Sequence, residues 1–123
     1  MYPQCIQIDK KFVFVENRDI ARYLQKKLED LYLCAKMMDY EIKCSCYDEL
    51  FGRDDQFVYE ILFSGRKEIQ VDLLEDINIG LNGVRVFEFL KQTSKVHYFK
   101  EFENSNELKE KCVIAFNIAK KLI

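Results

Sequence analysis

One histidine, five cysteines and two loose acidic motifs are the residues here whose types could do chemistry. A Ser-His-Asp or Cys-His nucleophile would have to use His97, since the chain holds no other histidine. His97 lies in the strand-like run 95–102 and shares a face with Phe99 and Glu101, the setting of an ordinary half-exposed histidine. The cysteines, at 5, 34, 44, 46 and 112, are odd in number and lack framework spacing. That pattern reads as free thiols in a reducing compartment, packed as small hydrophobes. Cys44 and Cys46 fall on one face of a strand, but a structural zinc needs four ligands. Only His97 and three distant cysteines remain to supply the other two, so the expectation is no metal and no cofactor.

Phosphate chemistry fares no better. No G-x-x-x-x-G-K-[ST] occurs, and no glycine-rich loop leads into a helix. The sharpest enzymatic alternative is a divalent-metal nuclease, which needs two carboxylates on the cation and a lysine near the phosphate. Glu41-Ile42-Lys43 has no acidic strand before it. Asp54 or Asp55 followed by Glu68-Ile69-Gln70, with Asp72 beyond, has glutamine in the lysine position. A nuclease also presents a basic face to its polyanionic substrate, and acidic residues surround this motif. The chain is therefore read as no enzyme, with no direct contact to nucleic acid.

The elements that would position any site are those of an α+β fold. Its sheet is mostly antiparallel, with about five to seven strands, and two long helices near 18–39 and 105–122 pack on one face. Asn17 is placed to cap the first helix, whose Ile20, Leu24, Leu28, Leu31, Ala35 and Met38 recur at spacings of three and four. Asn104 with Glu107 suggests a capping box for the second, striped by Leu108, Cys112, Ala115, Ala119 and Leu122. Between them, 41–47, 56–63, 68–74 and 95–102 read as strands, and 5–15 as two short strands around Asp9-Lys10-Lys11. Ser64-Gly65-Arg66-Lys67 joins 56–63 to 68–74 as a hairpin. Residues 77–92 fit either a hairpin turning at Asn82-Gly83 or a helix beginning near Asn82, and the hairpin is preferred.

With 123 residues, 10 Phe, 7 Tyr, 4 Gly and 1 Pro, the chain suits one domain, 1–123, with a substantial core. No apolar run is long enough to span a membrane. The opening Met1–Cys5 lacks the basic flank and apolar core of an export signal, so a cytoplasmic location is expected.

Charge is the strongest remaining signal. Residues 39–82 hold 11 acidic and 4 basic residues, net −7, while 1–38 carry +2 and 83–123 carry +3. Within the acidic third, Tyr47, Asp48, Glu49, Phe51, Asp54 and Asp55 lie in one loop, and Asp72, Glu75 and Asp76 flank the next strand end. Carboxylates there would steer a basic protein partner, and Tyr47 and Phe51 would anchor it. In size, charge and composition the chain resembles the small immunity proteins that neutralise toxin nucleases, and phage-encoded inhibitors that imitate nucleic-acid charge. That resemblance implies an inhibitor that occludes a basic surface on a toxin, nuclease domain or nucleic-acid-binding effector. A structural subunit binding through a sheet edge is the other non-enzymatic alternative.

Overall fold

The computed structural model describes residues 4–48 and 55–123. These form seven strands and two helices. Strands β1 (Cys5–Ile8) and β2 (Lys11–Phe14) make a small antiparallel hairpin, turned at Asp9, whose positive φ a short polar side chain tolerates. Helix α1 (Arg18–Met37) starts where Asn17 Oδ1 accepts from the N–H groups of Asp19 and Ile20, at 2.9 and 3.2 Å. It stops two residues short of the expected end, because Asp39 enters the left-handed region and Tyr40 N–H bonds back to Ala35 O.

Strands β3 (Glu41–Asp48), β4 (Gln56–Ser64), β5 (Glu68–Asp76), β6 (Gly80–Leu90) and β7 (Thr93–Glu101) follow in an unbroken antiparallel meander. Helix α2 (Ser105–Leu122) closes the fold. Its cap is Asn104, whose Oδ1 accepts from Asn106 N–H at 3.0 Å. The expected capping box does not close: the Glu107 carboxylate lies 3.6 Å from Lys100 Nζ on β7.

One face of the five-stranded sheet carries Tyr59, Ile61, Phe63, Ile69, Val71, Leu73, Val84 and Val86 into the core. Against it pack Leu24, Leu28, Leu31 and Ala35 of α1, Leu108, Cys112, Ala115, Phe116 and Ala119 of α2, and Ile6, Ile8 and Val13 of the hairpin. Both helices thus cover the same side of the sheet, as the single apolar stripe on each demands. The opposite face carries Val58 and Leu74, both buried outside that core, with Leu62, Phe87 and Phe89 half-buried around them.

The Asn82-Gly83 turn is corrected. Strand β6 runs straight through these residues, and the chain reverses earlier, at Ile77–Ile79, and later, at Lys91-Gln92. Leu74 pairs with Gly83 while Glu75 pairs with Leu81, which makes Asn82 the extra residue of a β-bulge. The same dipeptide that favours a tight turn also suits a bulge.

Candidate functional site

The meander gathers several of the acidic candidates at one end of the sheet. Asp48 closes β3 opposite Phe57, Gln56 opens β4 opposite Asp76, and Ile77 N–H donates to Asp55 O at 2.8 Å. Tyr47, Asp48, Asp55, Glu75 and Asp76 therefore share this end. Glu49, Phe51 and Asp54 lie outside the described residues.

Their environments differ sharply. Tyr47, opposite Val58, stands on the sheet face away from the helices and is 37% exposed, while Asp48 beside it points to the other side. Asp55 is half-buried. Glu75 reaches toward the β1–β2 hairpin, where its carboxylate accepts from Phe14 N–H and, at 3.2 Å, from Tyr59 O–H. Burial raises the Glu75 pKa, and these two bonds offset only part of that. Asp76 is buried, and its Oδ1 accepts from Asn78 N–H at 2.8 Å, fixing the β5–β6 turn.

Asp72 sits four residues further along β5 and is 1% exposed. Its carboxylate meets Arg85 Nη2 at 3.1 Å and accepts from Gln70 Nε2 at 2.8 Å. Burial pushes the Asp72 carboxyl up, and Gln70 and Arg85 pull it back without cancelling the rise. Asp72 and Asp76 thus do not present charge to solvent. The alternation of β5 put Asp72 on its polar face, but cross-strand neighbours close over that position.

Two residues expected in the first strand of a hairpin turning at Asn82-Gly83 belong to this end instead. Ile77 and Ile79, on the β5–β6 turn, are 59% and 62% exposed. Their signal was present: Gly80, with φ near +86°, marks the exit from the turn. Beside Ile79 opens a cleft of about 220 Å³, with Leu81, Phe102 and Leu108 as apolar walls and Glu16, Glu103 and Asn82 among its polar lining.

The groups weighed for catalysis are dispersed. A register shift between Val86 and Phe87 makes His97 a bulge residue and turns it away from the face of Phe99. His97 Nε2 lies 3.3 Å from Glu88 Oε1, and Lys67 Nζ lies 3.5 Å from Glu88 Oε2. Burial works against the Glu88 charge, but these two neighbours hold its pKa below the ordinary value. Glu68 and Asp72 are separated by about 13 Å along β5, and Asp55 lies beyond the strand's far end. Among the described residues no three His, Cys, Asp or Glu side chains come together as a metal site. All five cysteines are free, and burial raises the thiol pKa of Cys5, Cys44, Cys46 and Cys112. A thiol so shifted is a poor nucleophile. Cys44 and Cys46 do share the helix-side face of β3, where Tyr32 Oη lies 3.5 Å from Cys44 Sγ. No described helix is long and apolar enough to cross a membrane. No family model, curated protein or solved structure matches this chain.

Proposed function

We propose that this chain is a small cytoplasmic inhibitor of the immunity-protein kind, which binds a basic toxin or nucleic-acid-binding effector with the acidic end of its sheet. The observation that carries the reading is the exposed Ile77–Ile79 turn standing beside Asp48 and Asp55. The division of labour is physical. Exposed carboxylates raise the rate of encounter with a cationic partner but contribute little once water is excluded. An isoleucine that becomes fully buried contributes about 1.5–3 kcal/mol, so Ile77 and Ile79 would hold what the carboxylates attract. Tyr47 extends the contact onto the helix-free face. Inhibition then follows from covering the partner's basic surface.

Affinity capture from native lysate, with identification of what is retained, tests this. The expected catch is a basic nuclease or toxin domain, held by the native protein and lost by Ile77→Asp/Ile79→Asp. Asp48→Asn, which alters an exposed carboxylate, should slow association and flatten its salt dependence while leaving the melting temperature nearly unchanged. Retention of the same basic protein by the Ile77→Asp/Ile79→Asp variant, or capture of no basic protein, would overturn the reading.

A further inference from the structure

Helix α1 carries a second apolar stripe that the fold leaves uncovered. Leu24, Leu28, Leu31 and Ala35 are buried in the core, while Leu33 and Met37, four residues apart on another side, are 60% and 76% exposed. Met38, which ends the helix, is 48% exposed. Met37 is the most exposed large hydrophobic among the described residues. Three such side chains gathered together differ from the scattered single apolar residues of an ordinary surface. Helix α2 brings a charge to the same place. It runs beside α1 in the same direction: Lys109 Nζ, near its start, stands 4.4 Å from the Tyr23 ring centroid, and Lys120, near its end, reaches the patch. The result is a shallow depression of about 430 Å³, lined by Leu33, Cys34, Met37 and Met38 together with Asp30 and Lys120. Asp30 and Lys120 are exposed, and neither makes an ion pair among the described residues.

We propose that a second copy of this chain covers the depression, in a two-fold contact that packs the two α1 helices antiparallel across Leu33 and Met37. Charge selects this occupant. The patch has an apolar centre, one carboxylate and one ammonium, so its complement must offer apolar side chains with one charge of each sign. This chain presents that set itself. In an isologous contact a surface meets its own copy, so Asp30 of one protomer faces Lys120 of its partner, and the pairing occurs twice. A wholly basic or wholly acidic partner would set one of the two charges against its own sign. Methionine suits such a contact, because its unbranched chain adapts to an irregular opposing shape. The overall charge of −2 keeps repulsion between copies small. Six lining residues are few beside the about 20–30 that each side of a standard interface contributes, so the dimer is weak and concentration-dependent. The acidic end stays free: α1 leads into Glu41, whereas Asp48 closes β3 about 23 Å away.

Sedimentation velocity at low salt, with a reductant that keeps Cys34 a thiol, tests the contact. The sedimentation coefficient should rise between about 10 µM and 1 mM protein as monomer gives way to dimer. Leu33→Gln/Met37→Gln, two helix-compatible changes at exposed positions, should weaken dimerisation about tenfold or more while the melting temperature holds. Asp30→Lys and Lys120→Glu should each weaken it comparably, because each sets like charges together at both copies of the contact. Mixed in equal amounts, these two charge variants should regain dimer to the native level, as a heterodimer in which each pair is again opposite in sign. That recovery also requires both variants to be folded. A protein monomeric at every concentration overturns the inference and leaves the patch to a different partner. A dimer undiminished by Leu33→Gln/Met37→Gln overturns it as well, since the contact then lies elsewhere. Failure of the mixture to regain dimer overturns the two-fold pairing of Asp30 with Lys120, and the proposal with it. None of these variants alters the acidic end, so the inhibitor reading stands or falls separately.

Discussion

At Asp72 the chain sets burial directly against charge. A carboxylate at 1% exposure is tolerated because Arg85 and Gln70 meet it, yet its pKa still rises, so the pair does not fully repay desolvation. Removing the cation should therefore be worse than removing both charges. Arg85→Met is expected to lower unfolding free energy by about 3–5 kcal/mol in urea titration, and Asp72→Leu/Arg85→Met to recover most of that loss. The pH dependence has a definite sign. A carboxyl whose folded pKa exceeds its unfolded one binds protons more readily in the native state, so stability falls as pH rises between the two values. Asp72 and Glu75 both contribute this negative slope just above about pH 4, whereas Glu88, with a lowered pKa, contributes the opposite sign at lower pH. Asp72→Asn should make the slope of the stability profile above about pH 4 less negative. A profile unchanged by that substitution would mean that the carboxyl titrates normally.

The bulge in β6 is the element whose mutation is most informative. A β-carbon on Gly83 would stand 2.7 Å from Leu74 Cδ1 and 3.1 Å from Lys100 O. Gly83→Ala should therefore destabilise through overpacking, by about 1–3 kcal/mol in the same titration. Gly80→Ala meets a different obstacle, a φ of +86° that costs about 1–2 kcal/mol for any residue with a β-carbon, besides a contact with Phe14 O at 3.0 Å. The contrast shows why some elements were legible in the sequence and others not. Helix α1 is written locally: Asn17 caps it, and its stripe needs no knowledge of what it packs on. Strands β3 and β5 follow from alternation, β4 from a run that is apolar on both faces, and the turn at Gly65 joins β4 to β5. Asn82-Gly83 reads identically as turn or bulge, and only its pairing with Leu74 and Glu75 on another strand decides between them. The candidate site divides along the same line. Asp48 and Asp55 are identifiable as local charge, while the burial of Asp72 and Asp76 and the exposure of Ile77 and Ile79 depend on neighbours distant in sequence.

Across the whole molecule, the order β3-β4-β5-β6-β7 means that every strand of the large sheet lies beside its own sequence neighbour. That order has a kinetic consequence. Each pairing closes only a short loop, so the entropy lost before the first contacts form is small for a sheet of five strands. The meander can zip from the Gly65 turn outward, whereas the β1–β2 hairpin packs on α1 and β6 and closes a long loop to reach β6. Ile69→Val on β5 and Ile6→Val on β1 both trim fully buried side chains, each at a cost of about 0.5–1.5 kcal/mol. In stopped-flow measurements the first should appear mainly as slower folding and the second as faster unfolding. Equal partition of both between the two rates would mean that the hairpin is already docked at the barrier. Otherwise the acidic end, built where β3 to β6 meet, takes shape before the hairpin packs beside it, and its turns can form while the first strands are still unbound.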